Sequence, residues 1–357
     1  MKPPAKRSTG LWGWIVTVLA IGYPAALLAV ILTLRFVGER WWFSAALLYL
    51  PRIGFALPLP FIVLLLLFSR RYWLLLGQVV ALALLLFPLM GFQLPGAPSA
   101  TPGAIHLRVV TYNIATGPHG PEPILEELRG IDADVILLQE TDPTQYAAFR
   151  SGLPGYEVHT SGQFLLASRF PVVETIQPPQ IEHLGKARSP RFVYYHLTTP
   201  AGPLTIFDVH PISPREALAE LRGEGIKNEL ESGRLLRGTA SGKVMENTEL
   251  RLKQLELIAD IAHRSAAPVL IAGDTNMPSL SWALAHLFGS YRDGFSEAGS
   301  GFGYTFPAPR HPWMRIDRVL ADPRFRVVGF RVVQSRASDH YPVVADLELP
   351  APAAAGR

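Results

Sequence analysis

The first third of the chain alternates long apolar runs with short charged breaks. Residues 11–34 (LWGWIVTVLAIGYPAALLAVILTL) carry no charge, and as a helix they would extend roughly 36 Å, enough to cross a bilayer. Trp12 and Trp14 stand near one end of the run, where amphipathic rings favour a membrane interface. Residues 72–92 (YWLLLGQVVALALLLFPLMGF) give a second span of roughly 31 Å. Between them, 41–50 is apolar but short, Pro51 and Arg52 interrupt, and 53–68 (IGFALPLPFIVLLLLF) is apolar again. An Arg at the bilayer centre costs at least ~2.5 kcal/mol, so Arg52 is placed near an interface and 53–68 is read as a short or kinked span. The pattern therefore predicts a transmembrane anchor over 1–92 with about three helices, 11–34, 53–68 and 72–92. A cleaved signal peptide fits less well, because the first run is too long for one and more apolar sequence follows it.

After residue 105 the apolar runs shorten. Strands are predicted at 106–113, 134–140, 163–168, 192–197, 204–210, 268–273, 316–320, 327–333 and 341–348. Helical spacing appears at 121–131, at 247–264, where Leu252, Leu255, Ala259 and Ala262 share a face, and at 279–287. Strands outnumber helices and several are adjacent, which favours two packed sheets with helices outside over a doubly wound sheet. Residues 93–105 (QLPGAPSATPGAI) read as a linker and 350–357 (PAPAAAGR) as a disordered tail.

Charge sharpens this division. The 357 residues include 33 Lys and Arg and 29 Asp and Glu, for a formal net charge of +4, and no Cys. Residues 1–105 hold eight of the bases and one acid, Glu39, a net of +7; the remaining 25 bases and 28 acids give 106–357 a net of −3. The basic character thus belongs to the membrane-flanking part. Three spans with the basic N-terminus inside would place Arg70 and Arg71 inside and everything after 93 outside; two or four spans would leave the C-terminal unit cytoplasmic. A multi-pass membrane protein with an extracytoplasmic C-terminal domain is the expectation. Without Cys, disulfides, thiolate metal sites and a Cys nucleophile are excluded.

Several predicted strands end in a polar residue: Asn113 in TYN, Glu140 in LQE, His210 in DVH, Asp274 and Asn276 in GDTN. Asp317 in RID and the pair Asp339–His340 in SDH stand just before apolar runs. Singly, each has a structural reading: a turn residue for Asn113, an Asx-turn or N-cap for Asp274, a satisfied core His for His210, an ion pair with Arg315 or Arg318 for Asp317. Together, carboxylates with a carboxamide suit a hard, oxygen-preferring cation such as Mg²⁺.

Taken in order, TYN, LQE, SRFP, DVH, GDTN, RID and SDHYPV resemble the endonuclease/exonuclease/phosphatase (DNase I-like) superfamily over roughly residues 106–349. The resemblance implies an α/β fold, a four-layered α/β sandwich with two mixed β-sheets, here preceded by the transmembrane helices. It implies a metal held by Glu140 with Asn113 and Asp339, the cofactor being Mg²⁺ or Mn²⁺. Asp274 would position and deprotonate the attacking water, Asn276 would orient it or the phosphate, His340 would contact the scissile phosphate with Asp317 holding its imidazole, and His210 would contact a phosphate oxygen. Arg169, Arg191 and Arg251 are further phosphate-contact candidates with a structural role as the alternative, and the 211–246 insertion is either a solvated helical insertion or a lid or membrane-facing element, whose Arg222, Lys227, Arg234 and Arg237 would suit anionic headgroups. Arg318 departs from the family pattern, which often has an aromatic residue or His there.

The family chemistry is phosphate-ester or phosphoanhydride hydrolysis, and the fold does not choose the substrate. Membrane tethering and a net acidic domain lacking a broad basic footprint favour a lipid-linked phosphate, pyrophosphate or phospholipid headgroup at the outer face. A tethered nuclease or phosphodiesterase is the alternative, and a non-catalytic membrane scaffold a third reading.

Overall fold

The computed structural model describes residues 10–96, 98–99, 101–221 and 238–349. The predicted headgroup contacts Arg222, Lys227, Arg234 and Arg237 and the tail 350–357 lie outside the described residues.

Two six-stranded sheets organise the chain from residue 105 onward. The first contains β1 (Ile105–Asn113), β2 (Val135–Gln139), β3 (Glu157–Ser161), β4 (Phe164–Ser168), β13 (Arg326–Val332) and β14 (Val343–Leu349), in the order β13-β14-β1-β2-β4-β3. The second contains β5 (Val172–Ile176), β8 (Phe192–Thr199), β9 (Gly202–Val209), β10 (Val269–Asp274), β11 (Arg292–Asp293) and β12 (Asp317–Ala321), in the order β11-β12-β10-β9-β8-β5. Each is mixed: β1 runs parallel to β2 and antiparallel to β14, and β10 runs parallel to β9 and antiparallel to β12. A separate hairpin pairs β6 (Ile181–His183) with β7 (Lys186–Arg188).

Period-two alternation within wholly apolar strands builds the layers. Val109, Val135 and Leu137 face the other sheet, where they meet Tyr195, Ile206, Ala272 and Val319. Their chain neighbours Val110, Ile136 and Leu138 face outward and are covered by Ile124, Leu125, Leu128 and Phe149 of the helices Pro121–Ile131 and Tyr146–Gly152. On the far side Phe207, Val209 and Ile271 are covered by Leu255, Ile258, Ala259 and Ala283 of the helices Thr239–His263 and Trp282–Phe288. The result is the expected helix–sheet–sheet–helix sandwich. At Gly273 the strands β9 and β10 approach so closely that a Cβ would stand 2.0 Å from the Val209 carbonyl oxygen, at a φ of +146°; only glycine fits before Asp274.

The N-terminal segment packs as a small helical bundle. Leu11–Arg40 and Tyr72–Leu89 are long and apolar enough to cross a membrane, while the helix Arg52–Phe68 is shorter. At one end of the bundle Arg71 Nη1 donates to Thr17 Oγ1 (2.6 Å); at the other, Arg52 Nη1 donates to the Leu89 carbonyl (2.6 Å). Among the described residues, all exposed large apolar side chains except Val173 and Leu184 lie within residues 11–94.

The linker expected over 93–105 is held to the domain at both ends. Gln93 exchanges backbone hydrogen bonds with Gly301 (2.8 and 2.9 Å), and the Thr101 N–H donates to the Glu348 carboxylate (3.0 Å), so both ends of the stretch are pinned to the domain. The bundle itself docks on the sandwich. Trp42 and Ala45 pack with Ala217, Leu221, Ala240 and Val244, and the Tyr304 hydroxyl donates to the Met90 carbonyl (3.0 Å).

Arg318 is fully buried in β12. Its guanidinium donates to Asp293 Oδ2 (2.7 Å) and to the Met277 carbonyl (3.1 Å), and Arg315 donates to the same carboxylate (2.7 Å). Burial pushes the Asp293 carboxyl upward, but Arg315 and Arg318 outweigh it and hold the group below the usual carboxylate range. Asp293→Asn leaves a buried guanidinium without its counter-charge and is expected to lower stability by about 3–5 kcal/mol, measured by urea unfolding of the full chain in detergent. Because the folded-state carboxyl is depressed, its contribution is present above the unfolded value of about 3.9 and is lost as pH falls through the folded value. The variant should therefore lose its disadvantage only in strong acid.

Candidate active site

The topology brings the polar strand ends to one edge of the sandwich. β1 and β2 run parallel with Asn113 opposite Gln139, so Asn113 and Glu140 emerge together. β9 and β10 run parallel and deliver His210 and Asp274 to the same edge. β12 is antiparallel to β10 with Asp317 paired to Asp274, so Asp317 starts where Asp274 ends. The turn before β14 adds Asp339 and His340, with Ser338 Oγ bonded to the Asn113 carbonyl (2.7 Å). Glu140 and Asn276 both adopt left-handed backbone, with φ of +55° and +50°, a conformation held at a cost when the residue is not glycine.

Asp274 sits at the centre and is 2% exposed. Its Oδ2 accepts from Asn113 Nδ2 (3.2 Å) and lies 3.6 Å from His210 Nε2 and 3.7 Å from His340 Nε2. Its Oδ1 accepts from the Asn276 N–H (2.8 Å). Asn113 Nδ2 also reaches Glu140 Oε1 (3.1 Å), which is 3.4 Å from His210 Nε2. On the other flank, Asp317 grips His340 Nδ1 with both oxygens, at 2.9 and 3.1 Å.

The two imidazoles differ in charge. Burial alone would push His340 down, but Asp317 and Asp274 outweigh it and raise its pKa to about 9, so it is an imidazolium at neutral pH. Burial pushes His210 down to about 4, because Asp274 only partly offsets desolvation and Arg191 opposes protonation; it is neutral. Gln163 Oε1 lies 2.9 Å and Arg191 Nη2 3.4 Å from His210 Nδ1, and this pair of contacts turns Nε2 toward Glu140 and Asp274. Burial also raises the Asp274 carboxyl, against the pull of His340.

This arrangement fits a divalent cation at Glu140. Among the described residues Asp274, Asp317 and His340 place ligand atoms within 4.8 Å of one another. There, however, both ring nitrogens of His340 face carboxylates, and the imidazolium itself supplies the positive charge. Among the described residues Glu140 makes no ion pair with a Lys or Arg, although Arg191 lies near enough to feel its charge; His210 is neutral, and the Glu140 side chain is 36% exposed at the site mouth. Oxygen donors of this kind suit Mg²⁺ or Mn²⁺.

The other candidates divide. Asn113 turns its amide nitrogen toward the carboxylates and its oxygen to the Ala115 N–H (3.0 Å), so as oriented it steadies the acids rather than offering a ligand oxygen. Asp339 is half-exposed; its Oδ1 is 4.0 Å from His340 Nε2 and its Oδ2 accepts from Arg215 (3.2 Å). Asn276 has its amide tied to the Pro211 carbonyl (3.0 Å). Arg191 stands beside the site, donating to the His210 carbonyl (3.0 Å). Arg169 is corrected: it pairs with Asp132 and Asp134, before β2, whereas Glu140 follows that strand, about 20 Å away. Arg251 is also corrected: it is 1% exposed, and its guanidinium is taken by the Ile212 carbonyl (3.1 Å), Asn247 (2.8 Å) and Thr248. Asp317 pairs with His340 and not with Arg315 or Arg318, those arginines being held by Asp293. Residues not foreseen include Gln163, Ser338, Arg215 and Phe306, whose ring lies 4.6 Å from that of His340. Ser338 opens the SDHYPV motif, whereas the other three belong to no short motif and only the folded arrangement reveals them.

Comparison with known proteins agrees with this geometry. The family model described as "Endonuclease/Exonuclease/phosphatase family" matches residues 110–340. No curated protein matches the chain. Among solved structures, an endonuclease/exonuclease/phosphatase family protein from Bacteroides thetaiotaomicron aligns with a TM-score of 0.50 at 17% identity, over 69% of this chain and 98% of its own. The corresponding protein from Bacteroides vulgatus aligns with a TM-score of 0.50 at 18% identity, over 69% and 99%. TDP2 from D. rerio, complexed with a single-strand DNA product, aligns with a TM-score of 0.50 at 15% identity, over 68% and 98%. At these identities the likeness is one of fold. The family match spans most of the chain and every strand-end motif from Tyr112 to His340, and the chain belongs to the Endonuclease/Exonuclease/phosphatase family.

Proposed function

We propose that this protein is a divalent-metal-dependent phosphohydrolase, held at a membrane by its N-terminal helices, that cleaves the phosphate ester or phosphoanhydride of a lipid-linked substrate. The observation that carries the reading is the buried Asp317–His340–Asp274 array beside the open Glu140 carboxylate. Asp274 orients the attacking water and accepts its proton. His340, kept protonated by Asp317 and Asp274, donates toward a phosphoryl or leaving-group oxygen. Neutral His210, fixed by Gln163, contacts a phosphate oxygen, with Arg191 behind it. Asn276 shapes the loop through its backbone. Glu140, aided by Asp274 and the half-exposed Asp339, would hold Mg²⁺ or Mn²⁺, which when bound offsets charge on the phosphoryl oxygens.

Two features support the membrane and lipid part of the reading. The exposed apolar surface is concentrated in residues 11–94, as expected of a lipid-facing surface, and the bundle lies directly against the catalytic domain. The domain's net charge of −3 over residues 106–357 offers little for long stretches of duplex phosphate. The chain is read as three passes, with Arg70 and Arg71 inside and the domain extracytoplasmic.

Purified full-length protein is expected to release product from prenyl pyrophosphate or a phospholipid only with divalent metal, and EDTA should abolish the release. Rapid nicking of plasmid DNA without lipid turnover would favour the tethered nuclease instead. Asp274→Asn and His340→Ala should each lower turnover by at least about 100-fold while the domain stays folded; near-normal activity in either would defeat the assignment. A reporter fused after Pro95 should register on the extracytoplasmic side, and a cytoplasmic signal would reject the three-pass topology.

A further inference from the structure

The loop that carries the catalytic carboxylate is held from outside the catalytic domain. It runs from Asp274 at the end of β10 to Ser281, which caps the helix Trp282–Phe288. Asn276 occupies its bend in left-handed backbone, a conformation that for a non-glycine residue costs of order 1–3 kcal/mol and persists only where neighbours impose it. Its N–H is held by Asp274 Oδ1 (2.8 Å) and its side chain by the Pro211 carbonyl (3.0 Å). Its carbonyl is held by the hydroxyl of Tyr49 (2.8 Å), from the N-terminal apolar segment.

Two more residues of that segment grip the same loop. Arg52 is buried and donates to the Ser279 carbonyl (2.7 Å) as well as to Leu89, tying the loop to the bundle. Glu39, also buried, accepts from the Ser281 hydroxyl and from the Ala283 N–H (3.3 Å). Gly38 beside it approaches Trp282 so closely that a Cβ would stand 2.8 Å from the Trp282 Cβ. A pure tether needs none of these contacts. Burying Arg52 and Glu39 carries a desolvation penalty, which a lipid-facing anchor would avoid by leaving both at the surface.

We propose that Tyr49, braced by Arg52 and Glu39, is a positioning residue for the catalytic loop, so that the apolar segment is a working part of the active site as well as its anchor. The inference rests on the hydrolase reading of Asp274. A small displacement of a catalytic group costs rate rather than binding when the group acts in the transition state.

The test uses the full chain in detergent with Mg²⁺, and p-nitrophenyl phosphate and bis(p-nitrophenyl) phosphate as soluble probes that need no membrane access. Tyr49→Phe is expected to lower kcat at least about tenfold with KM changed less than about twofold, at an unaltered melting temperature. Thr17→Val removes a hydroxyl contact of the bundle, from Arg71 Nη1 (2.6 Å), at the end away from the loop, and is expected to keep wild-type kcat. Wild-type kcat in Tyr49→Phe, or an equal loss in Thr17→Val, would overturn the inference while leaving the hydrolase reading intact. A folded wild type that turns over neither probe would overturn both.

Discussion

A carboxylate buried to 2% exposure, as Asp274 is, must be compensated by its surroundings, and most of the site can be understood as that compensation. Desolvation pushes its carboxyl up, and an isolated buried acid would simply stay protonated. Here an imidazolium stands on one side, an asparagine amide and a neutral imidazole on the other, and a backbone N–H closes the remaining oxygen. Each comes from a different strand end. The fold is therefore required by the chemistry: two mixed sheets whose parallel pairs β1–β2 and β9–β10 deliver four polar residues to one edge, with antiparallel β12 and β14 returning to it.

The same logic separates the two histidines. They lie at similar distances from Asp274 and have similar burial, yet one titrates near 9 and the other near 4. The difference is Asp317, which brackets Nδ1 of His340, whereas His210 has an amide oxygen in the equivalent place and Arg191 nearby. Charge is thus concentrated on the His340 side, leaving Glu140 without a direct ion pair to Lys or Arg among the described residues and with only Arg191 nearby. A divalent cation is the natural complement to that imbalance.

Much of this was legible in the sequence. Polar residues at the ends of apolar strands mark candidate positions, and their joint order along the chain carries the family resemblance. That is why Asn113, Glu140, His210, Asp274 and Asp317 could be named before their contacts were known. Arg169 and Arg251 take the structural alternative, because a positive charge near a motif says nothing about which end of the strand it occupies or whether it is already engaged. Arg169 belongs to the opposite end of β2, and the two terminal nitrogens of Arg251 are taken by Ile212, Asn247 and Thr248. The helical span 53–68 was seen as apolar, but its docking was not. Glu39 and Arg52 look in sequence like charges flanking membrane helices, and only packing shows them turned inward to the loop after Asp274. Hydropathy describes which solvent a segment prefers and carries no information about what its few polar residues grip.

The central claim is that Glu140 and its neighbours form a cation site, and metal binding tests it more directly than turnover does. Mn²⁺ titrated into metal-stripped full-length protein, with the bound fraction read by electron paramagnetic resonance, should show saturable binding. Glu140→Gln should weaken that binding at least about tenfold, while Arg169→Ala should leave it unchanged. No saturable binding in the wild type, or binding that Glu140→Gln leaves intact, would contradict the account.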